Sequence, residues 1–247
     1  MARALALLEE LRDSESGLGV NELARRIGVN ASTASRLLAT LEGAGMVQRS
    51  GHGPYRLGLA LVTLADRALS RLDLQPLARP VLLDLMERSG ETATLSLPGE
   101  REAITVDSVP SHSSVVSMAR LGRPSIPHAT AVGKVMLALG GGPLPRERDL
   151  VPLTDRTITD RAELAAEVRA VRERGYGIVR GEREVDVNAI AAPVFDRTGA
   201  LAAILGLQGP AARLDDPTRQ LAVLLEAAAT LTRALGGIPP AHGEMPG

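Results

Sequence analysis

The chain has no cysteine and no tryptophan, and its aromatic residues are Tyr55, Tyr176 and Phe195 alone. Without cysteine there is no disulfide, no thiolate zinc site and no cysteine nucleophile, a composition at home in a reducing cytoplasm. So few aromatic rings exclude the stacking platforms of single-strand nucleic-acid binders and the aromatic cages that hold organic cations. Lysine occurs once, at Lys134, and the formal net charge is −1. No global basic field therefore advertises nucleic acid, and any basic patch must be local. Long apolar runs are missing too. The opening MARALALLEELR is broken at Glu9, too soon for a signal peptide. The tract LAVLLEAAATLTRAL from Leu221 carries Glu226 and Arg233, so it reads as a buried amphipathic helix rather than a membrane span. The expectation is a cytoplasmic chain with no membrane partner.

What is present is a globular composition, 45% hydrophobic and 23% charged over 247 residues, enough for one or two domains. Near the start, Ala4, Leu7, Leu8 and Leu11 mark one buried helical stripe. SESGLG (Ser14 to Gly19) is a loop. Asn21 is expected to cap a second helix, with Glu22 at its positive end and Gly28 closing it. Asn30 is expected to cap a third helix, ASTASRLLATLEG. MVQRSGHGPYRLG then reads as strand, glycine-rich turn and strand. Three helices and a hairpin in under sixty residues make a helix-turn-helix with a wing.

On the third helix Ala34, Leu37, Leu38 and Leu41 share the inward face, while Ser32, Thr33, Ser35, Arg36 and Thr40 are left outside. Ser32, Arg36 and Thr40 fall at i, i+4 and i+8, one stripe. A helix fits the major groove of B-DNA, where an arginine fork matches guanine and hydroxyls reach bases or phosphates. The segment from Asn30 to Leu57 carries three arginines, Arg36, Arg49 and Arg56, against one acid, Glu42. Arg49, His52 and Arg56 on the wing suit phosphates or the minor groove. The same face also fits a solvated surface or a protein-docking module, and spacing alone does not choose among these.

Beyond the wing, Leu61, Leu64, Ala65, Ala68 and Leu72 keep helical spacing, giving a linker helix over 58–74 whose thin stripe calls for a second protomer. Pro76 and Pro80 punctuate the start of a helix from about Gln75 to Arg88, proline being welcome at a helix start and not inside. TATLSL, EAITVDSV, SVVSMAR, YGIVRG, NAIAAPVF and ALAAILGLQ read as strands, the last two joined by a turn at FDRTGA with Gly199 in the left-handed region. HATAVGKVMLAL and RAELAAEVRAVRERG read as helices. The class is α+β with a mostly antiparallel sheet over 75–236, and a disordered Gly/Pro tail over 237–247.

Taken in order, RALALLEEL, ELARRIGVNASTASRLLATLEGAGMVQR, YRLG, GETATL, HATAVGK, RTITDRAELAAEVRAVRERGYGI, NAIAAPVFD and GPAARL make nearly the whole chain resemble the IclR family of bacterial transcription regulators. The resemblance implies a winged helix-turn-helix over 1–57, the linker helix, and a GAF-like effector domain. It implies double-stranded DNA and a small-molecule effector as partners, and a homodimer or dimer of dimers. It makes Asn30, Ser32, Thr33, Ser35, Arg36, Thr40, Arg49, His52 and Arg56 the DNA-contacting set. It also implies an effector site around the HATAVGK segment, drawn from Met118, His128, Thr130, Ala131, Val132, Val179, Glu182, Ala189, Gly206 and Gln208. Free N–H groups near Thr130 to Gly133 would suit an anion. Ala189 stands where relatives often have cysteine, Gly206 and Gln208 where they often have serine, and Val179 where an acid is common. Fewer hydrogen bonds and more apolar surface point away from tiny hydrophilic acids and towards a larger, partly apolar organic acid. Any one of these residues equally suits core packing.

Other chemistry finds little support. Glu182 and Glu184, at i and i+2, are expected to point the same way as a solvated pair or as partners of Arg180 and Arg183, not as an acid and base. His112 and His128 lack ligand spacing, and His128 is expected to orient its loop. Lys134 is expected at the surface rather than as a Schiff-base residue. No phosphate loop or nucleophile elbow occurs. No enzyme activity, metal or cofactor is expected, and an enzyme or a protein-interaction module stand as the alternatives to a regulator.

Overall fold

In the computed structural model the described residues are 2–14, 16–49, 51, 53–64, 74–113 and 121–238. They divide into two compact units, Met1–Asp73 and Leu74–Gly247. The expected strand SVVSMAR, the residues Met118 and His52, most of the linker helix and residues 239–247 of the expected tail lie outside the described residues.

The first unit has α1 (Ala2–Arg12), α2 (Val20–Arg26) and α3 (Ala31–Gly43), followed by β1 (Val47–Arg49) and β2 (Tyr55–Leu57) paired antiparallel. Leu7, Leu11, Leu23, Leu38, Leu41, Val47 and Tyr55 form one core. It is the set that the i, i+3, i+4 spacing places on facing stripes. Asn21 does not cap α2, because the helix starts one residue earlier. Gly19 occupies the cap position without a side-chain bond, and Asn21 falls inside the first turn. Asn30 does cap α3, its side-chain oxygen accepting from the Thr33 N–H at 2.8 Å. Residues 60–64 are helical.

The second unit is a five-stranded antiparallel sheet between two helical layers. Its strands are β3 (Thr92–Pro98), β4 (Ala103–Val109), β5 (Gly177–Arg180), β6 (Val187–Phe195) and β7 (Leu201–Pro210), in the order β4-β3-β7-β6-β5. Its helices are α4 (Leu74–Ser89), α5 (Ala131–Leu139), α6 (Arg161–Arg174) and α7 (Thr218–Ala234). Side chains alternate across the sheet. Ala93, Leu95, Ile190, Ala192, Leu205 and Leu207 face α4 and α7, meeting Leu82, Leu85, Leu224 and Leu231. Ala191, Ile204 and Val179 face α5 and α6, meeting Ala131, Val135, Leu164 and Val168. The β6–β7 hairpin turns as expected, with Gly199 at φ 79° and Asp196 Oδ1 accepting from the N–H groups of Thr198 and Ala200. Pro80 departs from expectation, since it lies inside α4 rather than at its start. The ring removes one helical N–H there, and the apolar face of Ala78, Leu82 and Leu85, fully buried against the sheet, holds the helix nonetheless.

Candidate DNA-contact face and ligand cavity

The outer face of α3 is open. Ser32, Ser35, Arg36 and Thr40 are exposed, while Ala34, Leu38 and Leu41 are buried and Leu37 and Thr33 are half-buried. Ser32 Oγ donates to Asn30 Oδ1 at 2.9 Å, and Thr40 Oγ1 donates to the Arg36 carbonyl at 3.1 Å. Among the described residues the Arg36 guanidinium has no hydrogen bond or ion pair. Arg49 is tied to the wing, donating to the Gly53 carbonyl at 2.9 Å and lying 5.0 Å from the centre of the Tyr55 ring. Arg56 donates to the Ser16 carbonyl at 3.2 Å. At the base of α2, Glu22 binds Arg25 and Arg26, and these hydrogen bonds pull its carboxyl down to about 2.

In the second unit a cavity of about 110 Å³ lies on the sheet face that α5 covers. At roughly 10–15 Å³ per water-sized group, it holds a molecule of about ten non-hydrogen atoms. Register places its sheet wall. Thr92, Gln208, Ala189 and Val179 form one cross-strand row, and Thr94, Gly206 and Ala191 the next. Of the expected effector residues, Thr130, Ala131, Val132, Val179, Ala189, Gly206 and Gln208 line the cavity. Thr130 caps α5: its hydroxyl donates to the Ile126 carbonyl at 2.9 Å and accepts from the Gly133 N–H at 3.1 Å. That leaves the Ala131 and Val132 N–H groups, which a helix cannot use internally.

Two expected residues lie elsewhere. His128 is 3% exposed and its Nε2 meets the Val151 carbonyl at 3.0 Å, the loop-orienting contact expected of it. Glu182 is outside the cavity lining, because it is drawn to Lys134 instead, with Nζ to Oε1 at 2.6 Å. Lys134 is therefore not at the surface: it is 1% exposed, with Glu167 also at 3.7 Å and Arg174 holding Glu167 at 2.8 Å. Glu182 and Glu184 do not point the same way, since residues 181–186 form a turn rather than a strand. Glu182 is turned in and Glu184 is exposed. Burial raises the Glu182 pKa against the pull of Lys134, and its Oε2 has no partner. A buried ion pair of this kind is costly to break from one side.

The cavity also contains residues that the sequence did not place there: Arg123, Thr94, Thr105 and Ser125, and Arg183 and Glu184, expected only as a surface ion pair. Burial, and then the charge of Arg123, push the Arg183 guanidinium below its usual range. Its counter-ion Glu184 stands at 3.9 Å, at the edge of contact. Two cations thus share a small cavity with one loosely placed acid, an arrangement that an incoming carboxylate relieves. Arg183 was hidden between two glutamates that suggested local pairing. Thr94 had a signal, the alternation Thr92, Thr94, Ser96 along one face of a strand. Among the described residues no group of three His, Asp or Glu side chains could hold a metal, and no helix is long and apolar enough to cross a membrane.

A winged helix-turn-helix followed in the chain by an α+β unit with a cavity is the plan of a two-part transcriptional regulator. Residues 1–51 match the description IclR helix-turn-helix domain and residues 66–233 match Bacterial transcriptional regulator IclR C-terminal. The chain belongs to the IclR family of DNA-binding transcriptional regulators. It is 30% identical over 243 residues to the HTH-type transcriptional regulator XynR of Escherichia coli K12, covering 95% of this chain and 96% of that one. It is 33% identical over 219 residues to the HTH-type transcriptional regulator BhcR of Paracoccus denitrificans, covering 87% and 78%. Among solved structures, an IclR homolog from Microbacterium hydrocarbonoxydans complexed with 4-hydroxybenzoate superposes with a TM-score of 0.83 at 26% identity, covering 95% of this chain and 98% of that one. The curated relatives are transcriptional regulators and repressors, not enzymes.

Proposed function

We propose that this protein is a cytoplasmic, ligand-controlled regulator that binds a specific double-stranded DNA site. Arg36 carries the reading of the first unit, as an exposed guanidinium without a partner among the described residues, on a helix anchored by its opposite face. Ser32, Ser35 and Thr40 flank it, the Asn30 cap and Thr33 set the start of the helix, and Arg49, His52 and Arg56 of the wing reach phosphates. One such module buries too little surface for tight specific binding. The protein acts as a homodimer or a dimer of dimers, joined through residues 58–74, on half-sites one or more helical turns apart.

The second unit, over 75–236, takes an organic acid as effector. The observation that supports this is the pair Arg123 and Arg183 in a cavity whose lining also has an apolar part, Val132, Val179 and Ala189. The guanidiniums and the first N–H groups of α5 take the carboxylate, and the apolar wall takes the body. The 4-hydroxybenzoate held by the Microbacterium homolog is an acid of this size and polarity. Ligand occupancy changes DNA affinity by a coupling of about 1–3 kcal/mol.

The test is a band-shift titration on duplexes from the DNA flanking the gene, with and without benzoate. A salt-dependent, sequence-selective complex that Arg36→Ala weakens supports the DNA reading. Equal affinity for every duplex overturns it. A thermal shift by benzoate that Arg183→Met abolishes supports the acid site, and an unchanged shift in that variant overturns it.

A further inference from the structure

Most polar side chains around the cavity are already engaged. The Thr130 hydroxyl is spent on capping α5, Thr105 Oγ1 meets Ser96 Oγ at 3.2 Å, and Ser125 Oγ accepts from the Ala103 N–H at 3.0 Å. Thr94 is different. It lines the cavity at 5% exposure, and among the described residues its hydroxyl makes no hydrogen bond. A hydroxyl that opens on a cavity without a protein partner is satisfied by what fills the cavity.

Position adds to this. Thr94 stands on β3 directly across from Gly206 on β7. A Cβ at Gly206 would lie 2.6 Å from Thr94 Oγ1 and 3.4 Å from Val132 Cγ2. Glycine at this point leaves the hydroxyl free to turn into the cavity, where any larger residue would push it aside. Arg123 and Glu184 are exposed at the solvent side, whereas Thr94 is deep on the sheet. The cavity thus combines two cations, an apolar patch and, on its sheet wall, a hydroxyl that makes no hydrogen bond among the described residues.

We infer that Thr94 determines effector specificity: its hydroxyl selects acids that carry a second hydrogen-bonding group, a hydroxyl or carbonyl oxygen, besides the carboxylate. This rests on the reading of the cavity as an acid site. The physical ground is asymmetric. A ligand that lacks the second group displaces water from Thr94 and gives it no partner, and one that has it gains a bond.

The experiment measures, by calorimetry on the full chain, the affinity for benzoate and for its 2-, 3- and 4-hydroxy forms. At least one ring-hydroxylated acid is expected to bind about tenfold tighter than benzoate, the size of one net hydrogen bond. Thr94→Val keeps the shape and removes the hydroxyl, so the ratio should fall to near one. Thr94→Ser should restore it. Gly206→Ala leaves residue 94 a threonine but presses on its hydroxyl from the neighbouring strand, and should also lower the ratio. A ratio that survives both Thr94→Val and Gly206→Ala overturns the inference, as does wild-type protein that binds all four acids equally. Those results leave the acid site standing. Failure of wild-type protein to bind any of the acids overturns both.

Discussion

The two units offer their proposed contact groups on opposite kinds of surface. In the first, the working groups stand outside a core, on a helix whose buried face is spent on Leu38 and Leu41. In the second, the working groups point inward, and the cavity exists because small residues at 189 and 206 decline to fill the space between sheet and helix. An exposed face costs little to furnish with charge. An internal one must answer for every polar group placed in it. The second unit accordingly holds the chain's single lysine in a buried ion pair, while the ion pairs of the first unit, such as Glu22 with Arg25 and Arg26, are exposed or half-exposed.

The contrast can be tested by the size of the response. Lys134→Met should have the largest effect, about 3–5 kcal/mol of stability lost in urea unfolding, because it leaves the buried Glu182 without its cation and near Glu167. Adding Glu182→Leu should recover most of it, since neither charge is then left alone. A small loss for the single variant would erase the distinction between the two regions.

Next comes Arg36→Ala, at about 1–3 kcal/mol of cognate DNA affinity with unfolding unchanged. Stability should hold because the side chain touches no core. Band-shift and melting measurements on the same sample separate the two effects.

Asn30→Ala should cost about 1 kcal/mol of stability, since the Thr33 N–H loses its acceptor at the start of α3. Thermal melting reads it, and Asn30→Asp should retain the stability.

The smallest effect is on the acid limb of unfolding. The Glu22 carboxyl is depressed from 4.5 to about 2. Its contribution is therefore complete above about pH 4.5 and is lost as pH falls towards 2, because the unfolded chain binds the proton first. Glu22→Gln should lower stability slightly above about pH 4.5, neutrality included, and the difference from the unsubstituted protein should close as pH falls towards 2. An equal difference between the two proteins at pH 7 and at pH 2 would contradict the assignment.

Much of the first unit could be read locally. The stripe of α3, the Asn30 cap and the exposed position of Arg36 all follow from 3.6-residue periodicity. The Asn21 cap failed because a helix can start on any residue whose backbone allows it, as Val20 does after Gly19. In the second unit the strands and the hairpin at Gly199 were legible from alternation and turn chemistry. The family resemblance supplied the rest of the lining that was named, Ala189 and Gly206 among it. Arg123 and Arg183 were not legible, since they are sixty residues apart and neither has a local pattern that distinguishes it from a surface arginine.

By itself, then, the chain's order of residues determined the local elements, their inward faces and the family to which the whole belongs. These depend on neighbours within a few positions, or on a pattern repeated along the chain. Tertiary structure alone decided that Lys134 is buried against Glu182, that two arginines share one cavity and that Thr94 is left with a hydroxyl to spend. Charge and hydrogen bonding act through space, and only the folded sheet brings residues from five separate segments within reach of one another.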